Sequence, residues 1–236
     1  MVVNIVVLNA TQVNLGFYNR RPVFFDGSPI LIRQNNMKQE KLFRIADLQT
    51  GLVLNRKEAE GIDLKSFEYR SLNLRSLNLD GAIDNSCLEK YFAKEKLNET
   101  FLARRNDIIV GLFPPFNLTL IDEESQGLVV PSQFVIVRIK GPSPIPGFLF
   151  RYLSQKDVLK KSALRESGQI TGNLKVSALG NLIIPLPPLH VQREVATYFE
   201  TSDAYKKLTK ELLNQFSLRE YALMKNAIGE SQHGND

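Results

Sequence analysis

The chain is poor in the residues that build metal sites and nucleophilic centres. Its 236 residues include one cysteine, two histidines and no tryptophan. A single thiol, Cys87, excludes an internal disulfide framework and fits a reducing compartment. His190 and His233 have no cysteine or histidine at ligand spacing, so no metal site is expected. Nor do two histidines near the end of the chain assemble a nucleophile–base–acid set. No apolar run reaches the roughly 18 residues that a membrane span requires. The opening MVVNIVVLNA is apolar but short, and the first basic residue is Arg20, so no signal peptide is expected. The expected setting is cytoplasmic, without a membrane.

A second absence is local. From Leu189 to Ile228 there are 40 residues without glycine or proline, although the chain holds 14 glycines and 11 prolines. Val195, Phe199, Tyr205, Leu208, Leu212, Phe216, Leu223 and Ala227 recur at helical spacing within it. Gly229 is the expected C-terminal stop. An unbroken helix of this length is about 60 Å long at 1.5 Å per residue, more than its own domain can cover. Its apolar stripe, interrupted near Ser202, Thr209 and Arg219, predicts loose antiparallel pairing with another helix. Just before it, Pro185, Pro187 and Pro188 stand in four residues. Proline suits a helix start and forces extended geometry on the residue before it, so the cluster predicts a stiff joint.

What precedes the joint reads as a mixed α+β domain. Residues 1–36 alternate short β-like runs with turn signals. KLFRIADLQT (41–50) predicts one or two helical turns stopped by Gly51. FEYRSLN (67–73) and the run to Leu79 predict a strand, and 101–112 a strand pair hinged at Asn106-Asp107. The strongest strand signal is 127–140, GLVVPSQFVIVRIK. GPSPIPG (141–147) predicts irregular structure, and 148–167 a single helix. SGQITGN (167–173) predicts a loop, and 175–186 a return into strand. The domain division is 1–187, then a helix over 188–229, then a disordered tail over 230–236.

Charge is uneven. Residues 1–182 carry 24 basic against 18 acidic side chains, and residues 183–236 carry 6 against 7. Within 131–181 the balance is 8 against 2. The positive field therefore belongs to the domain and points to an anionic partner, nucleic acid being the commonest large one. The candidate contacts form two groups. Arg151, Lys156, Lys160, Lys161 and Arg165 surround the 148–167 helix, with Gln169 and Asn173 in the loop after it. Arg56, Lys57, Tyr69, Arg70, Asn73 and Arg75 lie in the first half. Arginine and asparagine or glutamine are the side chains that read guanine and adenine edges, while lysine mostly meets phosphate.

Catalytic patterns are thin. Phe113-Pro-Pro-Phe116 has the outline of the adenine-N6 methyltransferase element, but Phe113 offers no acceptor at its first position. No glycine-rich nucleotide loop precedes it. Asp63-Leu-Lys65 lacks the partner acid of a nuclease site, and Asp122-Glu123-Glu124 are adjacent acids in a turn. The residues favour a binder over a catalyst.

The stretch LIIPLPPLHVQREVA (182–196) resembles the conserved-region entry of type I restriction–modification specificity subunits. Pro185, Pro187, Pro188, Leu189 and Gln192 match it, and His190-Val191 replace the usual acidic pair. FLARRNDIIVGL resembles that family's GDIL strand, with Asn106 where glycine is usual. LQTGLVLNRK, VVPSQFVIVRI and ESGQITGNLKVSALGNLIIP fit its pattern as well. The resemblance covers roughly residues 40–228 and assigns no role to 1–36. It implies an α+β target-recognition domain followed by a long helix in an antiparallel coiled coil, in a non-catalytic subunit. It implies double-stranded DNA as ligand, with one half of a bipartite target read per domain. It also implies methyltransferase and restriction subunits as partners, to which S-adenosylmethionine, ATP and Mg²⁺ would belong, with no cofactor in this chain. Family members usually carry two recognition domains and two helical regions. One of each here predicts a two-fold homodimer. The rival expectation is a protein–protein adaptor on the same scaffold without DNA reading.

Overall fold

The computed structural model describes residues 23–25, 28–30, 37–59, 66–155, 157–167 and 172–230. The chain divides into two units, Met1–Met37 and Lys38–Asp236. In the first, β1 (Val23–Phe25) and β2 (Ser28–Ile30) pair antiparallel. Apart from Met37, the rest of that unit lies outside the described residues, as do Asp63 and Lys65.

The second unit is α+β, with a long C-terminal helix. Its centre is a four-stranded antiparallel sheet in the order β4 (Ala46–Thr50), β9 (Phe134–Ile139), β7 (Ile108–Gly111), β8 (Leu118–Leu120). The two inner strands read FVIVRI and IIVG, near-continuous apolar runs that suit strands covered on both faces. Val135, Val137, Ile108 and Val110 point to one side, among Leu42, Leu149, Leu179 and Ile184. Phe134, Ile136 and Ile109 point to the other, among Leu72, Leu77 and Val130. The period of two along each strand thus builds two cores from one sheet. A third cluster, around Leu52, Tyr91, Ala93 and Val129, lies beneath the hairpin-like pair β5 (Phe67–Ser71) and β6 (Glu89–Ala93).

Helices α1 (Leu42–Ile45), α2 (Pro146–Leu153), α3 (Val158–Ser167) and α4 (Val176–Gly180) contribute to the first core. Strand β10 (Ile183–Leu186) pairs antiparallel with β3 (Lys38–Lys41), joining the two ends of the unit's domain. Helix α5 then runs from Leu189 to Glu230.

Several local expectations are corrected. The single helix over 148–167 is two, because the backbone breaks after Leu153, where the Ser154 hydroxyl donates to the Phe150 carbonyl at 2.7 Å. GPSPIPG is not irregular throughout, since Pro146 opens α2, where its missing N–H costs nothing. The expected strand beyond Ser71 gives way to a 3-10 turn at Leu74–Ser76. Asn73 caps it, accepting from the Arg75 and Ser76 amides at 2.9 Å each. The helix predicted to stop at Gly51 ends at Ile45 and passes directly into β4. Gly51 serves close approach instead, as a Cβ there would stand 2.1 Å from the Pro131 carbonyl oxygen. Residues 175–182 are not a plain lead into strand but contain α4. Helix α5 runs to Glu230, within one residue of the glycine at which the sequence places its stop. Residues 231–236 lie outside the described residues.

Candidate nucleic-acid interface and helix joint

The joint between domain and helix is built on the α2 side of the first core. Pro185 lies in β10 opposite Gln39, and Pro187 and Pro188 follow the strand. The Pro188 carbonyl accepts the first helical bond, from Gln192 N at 3.1 Å. The two prolines thus stand just outside the helix, not in its first turn, and Leu189 is its first residue.

Gln192 is 1% exposed and uses both ends of its amide. Its Oε1 accepts from the Ile145 backbone N–H at 2.8 Å. Its Nε2 donates to the Pro187 carbonyl at 2.8 Å and, more weakly, to the Ser143 hydroxyl at 3.4 Å. The side chain ties the 141–147 segment, the proline exit and the helix start into one network. Val191 beside it is buried at 9% exposure, while His190 faces solvent. Burial explains an apolar residue where the resembled motif has an acid, because a carboxylate there would be desolvated without a partner.

Further along, α5 stays against α2. Ala196 is buried and approaches Gly147 so closely that a Cβ on Gly147 would meet the Ala196 Cβ at 3.1 Å. The Arg151 guanidinium sits 4.9 Å from the Phe150 ring centroid and 4.8 Å from that of Phe199, and it ion-pairs with Asp203. Burial is the largest influence on this guanidinium and pushes its pKa below the ordinary value, with Asp80 and Glu200 opposing. After Asp203 close packing ends, though the Lys210 charge still acts on the Asp84 carboxyl. Every described residue from Ala204 to Ile228 is exposed.

The predicted stripe on α5 therefore divides. Val195 and Phe199 are half-buried beside α2. Tyr205, Leu208, Leu212, Phe216 and Leu223 are 52–68% exposed. At 3.6 residues per turn, the two sets are centred nearly a third of a turn apart around the helix axis. One run of apolar spacing thus serves two partners.

The candidate DNA contacts also divide. Arg56, Arg75 and Lys160 have exposed side chains without an ionic partner among the described residues. Lys161 is exposed and lies 3.5 Å from Asp157 on its own helix. Asn173 is exposed. Lys57 instead pairs with Glu95, and that hydrogen bond holds the Glu95 carboxyl below its ordinary range. The Tyr69 hydroxyl accepts from the Leu97 amide at 3.1 Å. Arg70 donates to the Asn85 carbonyl at 3.2 Å. Asn73 is engaged at both ends, capping the 3-10 turn and donating to the Cys87 carbonyl at 2.6 Å and to Glu89 at 2.8 Å. These three build the β5–β6 region, and Arg151 belongs to the joint. Lys156, Gln169 and the side chain of Arg165 lie outside the described residues.

Sequence reasoning missed the ion pair at Asp107, whose carboxylate is buried. Arg138 donates to both oxygens of Asp107, at 2.8 and 2.6 Å, and Asp107 is 1% exposed. The hydrogen bond to Asp107 is the main reason the Arg138 pKa lies above its ordinary value. Asp107 also accepts from the Arg104 amide at 2.8 Å. Its neighbour Asn106 has φ +70°, a left-handed turn that favours glycine and that asparagine tolerates. That conformation accounts for asparagine at the glycine position of the resembled strand. An arginine inside FVIVRI was the available signal, since such a residue in an inner strand needs a partner. Among the described residues there is no cluster of His, Cys, Asp and Glu able to hold a metal ion, and no helix long and apolar enough to cross a membrane.

A family model described as type I restriction modification DNA specificity domain matches residues 81–217. A comparison with curated proteins gives no match. Among solved structures, a chain from a study of complex assembly and conformational transition of the type I R-M system is similar. Its TM-score is 0.58 at 17% identity, over 86% of this chain and 51% of that one. The HsdS subunit from Thermoanaerobacter tengcongensis is similar with TM-score 0.55 at 17% identity, over 86% of this chain and 52% of its own. The chain spans about half the length of these structures, and the likeness is one of fold.

Proposed function

This chain belongs to the type I restriction–modification DNA specificity family, and from that premise we propose that it reads one half of a bipartite DNA target and sets its distance from the other half. The domain over Lys38–Leu186 is the reader, and α5 is the spacer. The observation that carries this reading is the exposed second half of α5. A helix with Tyr205, Leu208, Leu212, Phe216 and Leu223 in water is not a stable endpoint for a single copy. A partner helix that covers this stripe makes a two-helix coil, and a second copy of the chain supplies one with two-fold symmetry. Two identical domains then select an inverted, interrupted repeat. Exposed Arg56, Arg75, Lys160 and Lys161 supply cations for phosphate or base contact. Methyltransferase and restriction subunits would dock on the helical part and bring S-adenosylmethionine, ATP and Mg²⁺ with them.

The test is a pair of measurements on the purified chain. Sedimentation at micromolar concentration should show a dimer, and Leu212→Asp should dissociate it. A fully buried leucine contributes roughly 1.5–3 kcal/mol, and symmetry removes it twice, so dimer affinity should fall about 100-fold or more. A wild-type monomer, or a dimer indifferent to Leu212→Asp, refutes the pairing. Retention on random duplex DNA should weaken steeply with salt. A dimer that ignores duplex DNA at low salt would replace the reader with a protein–protein adaptor on the same scaffold.

A further inference from the structure

The reading above leaves open what keeps the spacer pointed in one direction. A helix no longer packed on its domain beyond Asp203 is a lever: 25 residues separate Asp203 from Ile228, about 37 Å at 1.5 Å per residue. A swing of about 10° at its base moves the far end by about 6 Å, close to two base-pair rises of ~3.4 Å. Spacing by such a helix therefore depends on the stiffness of its base.

The base has one contact at the outer limit of its support. Gln192 pins the helix start to Ile145, and Ala196 meets Gly147 one turn later. A tether at the start and a van der Waals contact one turn on leave rotation about the start the softest motion. The next contacts outward are Phe199 and Asp203, and both converge on Arg151. Its guanidinium plane lies near two rings, one from α2 and one from α5, while its charge meets a carboxylate of α5. An arginine suits this place because its planar, always-charged head both stacks and forks, which an ammonium does not.

We propose that Arg151 is a positioning residue, a clamp that with Asp203 and Phe199 fixes the direction of α5 relative to the recognition domain and so the separation of the two half-sites. This rests on the spacer reading for its consequence in DNA, and on the joint alone for its mechanics.

The experiment measures the mechanics first. Spin labels are placed at Thr100→Cys in the domain and Asn214→Cys on the free helix, opposite the exposed stripe, in a Cys87→Ser background. Dilution with unlabelled chain makes the distances intramolecular. The parent should give a narrow distribution. Arg151→Ala should broaden it by several ångströms, and Asp203→Asn, a milder change on the helix surface, should broaden it in the same sense. Arg151→Lys should fall between, keeping the charge and losing the stack. An unchanged width in Arg151→Ala and Asp203→Asn overturns the clamp.

The second arm selects bound duplexes from a randomised pool. Arg151→Ala should select the same half-site words as the parent, with their separation spread by about two base pairs. Loss of a base preference at fixed separation would make Arg151 a DNA contact and overturn the clamp. If the parent selects no DNA while the spin distances broaden, the clamp stands and the DNA reading falls.

Discussion

Replacing Gln192 with leucine tests whether the helix joint is held by hydrogen bonds or only by packing. The volume change is small, so the loss is mainly of polar partners. In the parent, the Ile145 N–H donates to Oε1 at 2.8 Å, and Nε2 donates to the Pro187 carbonyl at 2.8 Å. Gln192→Leu leaves both main-chain groups facing an apolar side chain in a site where the glutamine itself is 1% exposed. An orphaned buried group costs roughly 1–3 kcal/mol, and the weaker 3.4 Å contact to Ser143 adds little. Partial access of water to Ile145, which is half-buried, places the total at about 2–3 kcal/mol. Urea unfolding at matched slope reads this directly, with the midpoint moving to lower denaturant. A loss below about 0.5 kcal/mol would mean that the two groups find other partners, and the network would not be what holds the joint.

Removing the Asp107 ion pair should be as costly. Arg138→Met leaves Asp107 buried with only the Arg104 amide as partner, so stability should fall by about 3 kcal/mol, and Asp107→Asn in the same chain should recover part of it. Thermal unfolding of the two variants checks this. Gly180→Ala places a Cβ 2.1 Å from the Phe43 ring, which must be displaced. A loss of about 1–3 kcal/mol is expected, and Phe43→Ala should relieve the clash in the double variant. For pH, Glu95 has a folded pKa held below its ordinary value by Lys57. Its contribution is therefore complete above the ordinary carboxylate range and fades as pH falls through the lowered value. In Lys57→Met, an NMR titration should show the Glu95 carboxyl returning toward that range.

The long helix and its joint were legible because their signals are local and repeated. Forty residues without a breaker, preceded by clustered prolines, have few other solutions. The inner strands were legible for a similar reason, as FVIVRI and IIVG are short, apolar and rich in β-branched residues. What was lost depended on partners distant in sequence. Nothing near Ser154 announces that 148–167 breaks, because the break is set by packing α2 and α3 onto one core. Asn73, Tyr69 and Arg70 read as groove contacts from residue type alone, yet each has a structural partner 14 to 28 residues away. Arg151 carried the right charge for DNA, and only tertiary structure brings Asp203 and Phe199 to it. The split of the α5 stripe was hidden because helical spacing reports that a face is apolar and not which neighbour covers it.

The pairing of β3 with β10 has a consequence for the order of folding. Ile183 opposes Lys41 and Leu186 opposes Lys38, so the strand that closes the domain lies nearly 150 residues after the one it joins. A contact of such separation forms only after the intervening chain has been compacted. Three residues later α5 begins. The domain therefore completes itself with the last segment made before the helix, and α5 acquires a fixed base only on a closed domain. Chains that stop before β10 cannot complete this pairing, and chains that reach it are one short proline step from presenting a sticky helix face. Closure before exposure is a sequence of events written into the register of two four-residue strands.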